Sequence, residues 1–313
     1  MKKGTTKLLR ASESYWPARV PHLARRPALV LNRPMRATTI QFEAGADKAA
    51  NIATAGALIA AAATTEHPSL VSLPEMWTCL GADRATKLAQ AEPLPPPGTE
   101  GDGEAWRFLA ATARRHRVTL HGGSIGERVG DTLFNTTLVF GPDGAEIARY
   151  RKIHLFDITT PSGQGYRESS LFGAGTEVVT AATPDATLGL SICYDIRFPE
   201  LYLALRRAGA EVILVPAAFT AETGRDHWEI LLRARAIETQ CFIIAAATTG
   251  WHTDAAGRPR QTWGHSMIID PWGKILTSLT DAAGHTTATL DLAALPRTRA
   301  AMPVLEHRRL ALA

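Results

Sequence analysis

The sequence predicts an α/β fold layered as a sandwich with mixed sheets. Three observations lead there. Strand-like and helix-like stretches alternate from residue 37 to residue 290, and two hairpin signatures interrupt that alternation. The stretch 212–216 is almost wholly apolar, as a strand covered on both faces should be. Alternation alone would suit a barrel or a doubly wound parallel sheet; the hairpins argue instead for mixed sheets packed in layers.

The elements follow in order. A strand is expected over 37–42, then an Ala-rich helix over 47–64 with Asp47 placed as its N-cap. A strand over 70–73 stops at Pro74, and a proline-rich loop (Pro93, Pro95, Pro96, Pro97, Gly98) follows. Trp106, Leu109 and Ala110 recur at helical spacing within 103–116, and a strand is expected over 118–124. Strands 135–140 and 146–151 flank Gly141-Pro142-Asp143-Gly144, a strong turn signal. The stretch 156–175 has little pattern and reads as a long functional loop. Next come a strand over 188–193, a helix over 199–208, the apolar strand 212–216, a helix over 226–240 and a strand over 242–247. A second hairpin joins 265–269 to 275–279 across Asp270-Pro271-Trp272-Gly273-Lys274, and the last strand is 286–290.

Charge divides the chain in two. Residues 1–34 hold eight Lys or Arg and one acid, net +7, while the remainder holds 26 bases and 29 acids. The high isoelectric point therefore belongs to the leader, and a nucleic-acid groove is not implied. Pro17, Pro21, Pro27 and Pro34 break any amphipathic helix there. Residues 1–34 are expected to be a flexible basic extension, an upstream addition or misassigned start in preference to a targeting peptide, and 35–313 the catalytic domain. No apolar run reaches membrane-spanning length, and no secretory apolar region is present, so no membrane partner is expected. Cys79, Cys193 and Cys241 show neither CxxC spacing nor a histidine cluster; a small odd number suits a reducing, cytoplasmic setting without a metal site.

Three residues invite a chemical reading. Cys193 ends the apolar run Leu188-Gly189-Leu190-Ser191-Ile192 just before a helix, where a nucleophile is readily exposed beside backbone N–H groups. It could equally be a buried core thiol. Glu75 follows Pro74 at a strand end, as a general base or as a plain cap. Lys152 sits in Arg149-Tyr150-Arg151-Lys152-Ile153-His154, where an isolated lysine would face solvent.

Together these are less ambiguous. Pro74-Glu75-Met76, Tyr150-Arg151-Lys152-Ile153-His154-Leu155 and Cys193-Tyr194-Asp195-Ile196-Arg197-Phe198-Pro199-Glu200-Leu201 resemble the ordered signature of the nitrilase, or carbon–nitrogen hydrolase, superfamily. The resemblance runs from about residue 36 to residue 310. It implies a four-layer α-β-β-α sandwich, a homodimer or larger even homo-oligomer, and a Glu75, Lys152, Cys193 triad with Glu168 as the second glutamate holding Lys152. It also implies hydrolysis of a small-molecule amide through a thioester, with no metal or organic cofactor. The stretches 163–169 and 227–241, Trp263-Gly264-His265-Ser266 and the closing 303–309 resemble the deaminated glutathione amidase branch; that branch implies release of 2-oxoglutarate and cysteinylglycine. The ω-amidases, acting on 2-oxoglutaramate or 2-oxosuccinamate, the N-carbamoyl hydrolases and the true nitrilases are the alternatives. Trp77 and Phe172-Gly173-Ala174-Gly175 depart from the branch pattern, which bears on pocket shape.

Several other residues compete for roles. Gly122-Gly123-Ser124-Ile125-Gly126 matches the serine-hydrolase G-x-S-x-G, but a turn and a strand follow it where that motif needs a helix. His154 and His265 read as structural histidines in preference to a base for Cys193. Arg197 could grip a substrate carboxylate through its guanidinium fork or tie down its helix. Tyr194 is a candidate substrate-binding residue, with a backbone N–H near it expected to help Lys152 hold the oxyanion, and Asp195 reads as a cap or structural acid. Trp228 and Trp263 read as core or interface residues.

Overall fold

The computed structural model describes residues 34–254 and 257–310. The expected basic extension, apart from Pro34, lies outside the described residues. The chain runs β1 (Met35–Gln41), α1 (Lys48–Glu66), β2 (Leu70–Ser72), α2 (Arg84–Gln90), α3 (Glu104–His116), β3 (Thr119–His121), β4 (Ile125–Val129), β5 (Thr132–Phe140) and β6 (Glu146–Arg151). It continues β7 (Asp157–Thr159), β8 (Gly165–Arg167), β9 (Phe172–Gly173), β10 (Thr180–Ala182), β11 (Thr187–Leu190), α4 (Pro199–Arg207), β12 (Val212–Leu214) and α5 (Ala221–Thr239). The last elements are β13 (Phe242–Ala245), β14 (Thr249–Thr253), β15 (Pro259–Trp263), β16 (Met267–Ile269), β17 (Ile275–Ser278), β18 (Gly284–Leu290) and α6 (Leu295–Ala301).

Two mixed sheets form the middle of the sandwich. One has the order β18-β1-β2-β3-β5-β4, with β6 and β9 also paired to β5; the other has the order β10-β11-β12-β13-β16-β17. In each sheet the central neighbours are parallel, β1, β2 and β3 running together as do β11, β12 and β13, and the outer ones are antiparallel apart from β9, which is parallel to β5. Side chains of β1 and β2 alternate between two cores. Leu70 and Ala37 point inward to a cluster shared with Leu188, Leu190, Val212 and Leu214, whereas Val71 and Ile40 pack outward against Ile59 of α1 and Leu109 of α3. Trp228, Leu232 and Ala236 of α5, with Leu201 and Leu205 of α4, cover the other sheet. The order of layers is therefore α-β-β-α, as expected.

Local chemistry explains the boundaries. Asp47 Oδ1 accepts from Ala50 N at 3.1 Å, so α1 starts at its expected cap. The expected helix over 226–240 begins earlier, at Ala221, because Thr220 caps it, its hydroxyl accepting from Thr223 N at 3.3 Å. Gly224 lies within α5 where Trp263 covers it: an added Cβ would sit 2.4 Å from the indole. The unpatterned stretch 156–175 holds the hairpin β7–β8, a 3-10 turn at Glu168–Ser170 and β9. The hairpin β14–β15, the helix α2 and the strand β10 had no sequence expectation; each is short, and β14–β15, like β7–β8, lies apart from the two main sheets.

Candidate active site

Four loops at one end of the sandwich bring the expected residues together. Glu75 leaves β2 after Pro74. Its loop is held by the segment 122–124: Ser124 N donates to Pro74 O at 3.1 Å, Met76 N donates to Ser124 Oγ at 3.0 Å, and the Trp77 indole donates to Gly122 O at 2.7 Å. The serine of the G-x-S-x-G match is thus a buried bracket for the glutamate loop, and Gly123, at φ +59°, approaches Pro74 so closely that no Cβ would fit. Trp77, a departure from the family pattern, fills the core beneath this loop.

Lys152 follows β6. Its N–H donates to Asn135 O at 2.9 Å, and its carbonyl accepts from Gly175 N at 2.7 Å. Glu168 sits in the 3-10 turn after β8, where Oε2 accepts from Phe156 N at 2.6 Å. Cys193 begins a second 3-10 turn, Cys193–Arg197, at the end of the apolar strand. Its φ is +47°, a left-handed conformation unusual for a residue with a Cβ and one that clusters at functional sites. The Cys193 N–H is spent on Pro216 O at 2.9 Å. Tyr194 N–H has no hydrogen-bond partner among the described residues, so it remains available to a ligand.

The charged side chains close into a ring. Lys152 Nζ donates to Glu75 Oε1 at 2.9 Å and to Glu168 at 2.9 and 3.1 Å. Asn135 Nδ2 donates to the same two carboxylates, at 2.8 Å to Glu75 and 3.2 Å to Glu168. Glu75 Oε2 accepts from Ala218 N at 2.7 Å. Asn135 was not singled out in the sequence; only its position in β5 opposite the lysine strand hints at it. Its amide orientation follows from the ring, because a flipped oxygen would face two carboxylates.

Glu75, Lys152 and Cys193 are all buried. Burial alone would strip Lys152 of its proton, but Glu168, Glu75 and Cys193 outweigh it and raise its pKa well above the ordinary lysine value. Burial, then the charge of Glu75, pushes the Cys193 thiol well up, against a smaller lowering by Lys152. The Cys193 thiol is therefore held neutral beside a lysine held charged.

Asp195 ties the Cys193 turn to the strand that leads into Lys152. Oδ2 accepts from Tyr150 Oη at 2.6 Å and from Ile192 N at 2.9 Å, and Oδ1 meets His154 N at 3.0 Å and Nδ1 at 2.7 Å. His154 stacks on Phe198 with centroids 3.7 Å apart, and the His265 ring stacks on Trp263. His265 Nδ1 also lies 2.6 Å from Trp263 O, so each ring is engaged by its neighbours, and neither lines the cavity. Trp228 is in the core, and Trp263 packs against it from a partly buried position.

These groups floor a cavity of about 690 Å³. Tyr194 lines it, but Arg197 does not. The guanidinium of Arg197 lies 3.3 Å from His227 Nδ1 and over the Tyr194 and Phe219 rings, so it backs the lining and does not meet the cavity directly. The cations that do line it, besides Lys152, are Arg84, Lys87, Arg167, Arg258 and Arg260. None of these was singled out from sequence, since they stand on α2, β8 and the unexpected hairpin β14–β15.

Comparison with known proteins adds to this geometry. The family model described as carbon-nitrogen hydrolase matches residues 36–300. The chain is 42% identical over 281 residues to a protein of Synechocystis sp. named deaminated glutathione amidase, covering 88% of this chain and 98% of that one. It is 38% identical over 269 residues to the Homo sapiens protein of that name, covering 84% and 79%. Among solved structures, Saccharomyces cerevisiae Nit3, a member of branch 10 of the nitrilase superfamily, superposes with a TM-score of 0.79 at 29% identity over 90% of this chain and 98% of that one. The C. elegans NitFhit protein superposes with a TM-score of 0.78 at 36% identity, covering 88% of this chain and 65% of that one.

Proposed function

The chain belongs to the carbon-nitrogen hydrolase family and is an amide-cleaving hydrolase acting on small molecules; from that premise we propose that Cys193 is its nucleophile and deaminated glutathione its substrate. Cys193 Sγ attacks the amide carbonyl as its proton passes to Glu75. Lys152 Nζ and the free Tyr194 N–H stabilise the oxyanion, the kind of contribution that is largest in a dry, preorganised site. Protonated Glu75 then gives its proton to the departing nitrogen, which leaves as the amine. A thioester remains on Cys193. Glu75 takes a proton from water as the water attacks, and the acid leaves with the thiol restored. Glu168 and Asn135 hold Lys152 and Glu75 in register throughout.

The cavity carries the substrate reading. Its volume of about 690 Å³ far exceeds what a small primary amide needs, and five cations besides Lys152 line it. An oxo acid joined to cysteinylglycine presents a carboxylate at each end and a peptide-sized leaving group. The relatives named deaminated glutathione amidase support the same choice. The test is kcat/KM for deaminated glutathione against 2-oxoglutaramate. The peptide should be favoured by at least about tenfold, roughly 1.4 kcal/mol of transition-state discrimination. A preference for 2-oxoglutaramate would make the protein an ω-amidase with the same chemistry.

We further infer a homodimer in the cytoplasm. Three buried, unpaired cysteines suit a reducing compartment, and no described helix is long and apolar enough to cross a membrane. The apolar residues exposed on α5 support the dimer.

A further inference from the structure

One wall of the cavity carries a lysine that forms no ion pair among the described residues. Lys87 stands on α2 and lines the cavity beside Cys79, with His252 of β14 and Arg260 of β15 on the same lining. Arg260 lies within 2.6 Å of Asp254, which also meets Arg258 at 3.0 Å, so one carboxylate answers two guanidiniums. Among the described residues no carboxylate lies within ion-pair distance of Lys87. It meets Cys79, Glu168, Asp254 and Asp83 only through longer-range fields. The wall is also fixed in place. Gly81, at φ +82°, packs on β14 so closely that an added Cβ would lie 2.7 Å from Thr253 O and 2.9 Å from the His252 ring. Tyr166 of β8 closes over it, its ring 4.8 Å beneath the Arg260 guanidinium.

An ammonium held in a half-buried wall without a partner is costly unless a ligand supplies the partner. Burial lowers the Lys87 pKa against the opposing pull of Cys79, Glu168, Asp254 and Asp83, and burial first, then the Lys87 and Arg260 charges, lowers that of His252 to about 4. The catalytic ring contributes the opposite sign, two carboxylates around one ammonium. An anionic substrate is therefore drawn to the Lys87 wall while its amide lies over Cys193.

We propose that Lys87, flanked by His252 and Arg260, seats a carboxylate at the far end of the leaving group. The enzyme would then select amides whose departing amine ends in an acid. This rests on the peptide-substrate reading above and adds which end of the peptide is recognised and by which residue. A small amide releasing ammonia would leave Lys87 empty.

The test compares two substrates that differ only at that end: deaminated glutathione and its C-terminal carboxamide. The wild-type protein should favour the acid in kcat/KM by at least about tenfold. Lys87→Met should bring that ratio close to one, and Lys87→Arg should keep most of it. Because each ratio is taken within one protein preparation, partial misfolding cancels. A wild-type ratio near one, or a ratio unchanged in Lys87→Met, overturns the subsite. The parent reading fails separately, by a wild-type preference for 2-oxoglutaramate over both peptides. If that occurred while the acid-to-carboxamide ratio still depended on Lys87, the subsite would stand and the physiological substrate would change. No turnover of either peptide would sink both.

Discussion

The reactivity of Cys193 is set by its neighbours. An isolated thiol is mostly protonated at neutral pH, and here burial and the Glu75 carboxylate push its pKa further up. The arrangement does not store a thiolate; it stores a proton acceptor within reach. The sign of the Glu75 effect can be measured. A thiolate is an anion, so a neighbouring carboxylate raises the thiol pKa, and replacing it by a neutral amide must lower it while Lys152 continues to favour the thiolate. In Glu75→Gln, the thiolate absorbance near 240 nm should therefore appear at lower pH than in the wild type. Subtracting the titration of Cys193→Ala removes Cys79 and Cys241. Turnover should fall by at least about a hundredfold in Glu75→Gln, since the proton carrier is gone. An unchanged or upward-shifted titration would mean that Glu75 does not face the thiol, and another base would be needed. Glu75, Lys152, Glu168 and Cys193 were legible in sequence because each sits in a short block with a distinctive order. Asn135 and Lys87 were not: an asparagine in a strand and a lysine on a seven-residue helix have no local signature, and their roles arise only from what the fold places opposite them.

At the scale of elements, each residue proposed to act in catalysis sits on a loop bracketed by another loop. The 122–124 turn does this for Glu75. Ser124 is fully buried, and its hydroxyl is the acceptor for Met76 N–H, one residue past the glutamate, where the backbone takes φ +47°. Ser124→Ala would leave that buried amide unpaired, at a cost of about 1–3 kcal/mol, and would loosen the turn that aims Glu75. Calorimetry should show lower thermal stability, and steady-state kinetics should show kcat reduced at least about tenfold with KM little altered. Lost stability with full kcat would confine the serine to a folding role. The main strands and helices were legible because apolar period and turn chemistry agree along them. The hairpins β7–β8 and β14–β15 were not, for a physical reason. Neither contributes to a main sheet, so neither carries a sustained apolar face. What holds them is specific: the Ser162 N–H and hydroxyl at the β7–β8 tip donate to Glu222 of α5 at 2.9 and 2.8 Å, and Arg260 stacks on Tyr166 between the two hairpins. The same hairpins bring Tyr166, Arg167, His252, Arg258 and Arg260 to the cavity. Sequence reading reached the residues at the sheets' ends better than the walls of the cavity, because those walls are built by these added pieces.

For the whole molecule, α5 connects the cavity to an outer surface. Its N-terminal end contributes Thr220 and Thr223 to the cavity and, through Glu222, holds the β7–β8 hairpin. Its outward face presents Ile230, 68% exposed, and Ile237, 49% exposed, two helical turns apart on one side. The turn after β16 extends this surface: Gly273 packs against Ile237, and Trp272 beside it is 65% exposed. Large apolar residues grouped in this way mark an interaction site more often than plain surface. A second copy of the chain is the economical partner, because a twofold axis lets one patch cover its own image. Light scattering at micromolar concentration should give about twice the 33.7 kDa chain mass. Ile230→Glu combined with Ile237→Glu places four carboxylates across such an axis and should yield the monomer. Because α5 also anchors the hairpin that completes the cavity, the monomer should hydrolyse the peptide substrate more slowly while Cys193 keeps its alkylation rate with a small electrophile such as iodoacetamide. A wild-type monomer, or a double variant that remains dimeric, would put the interface elsewhere.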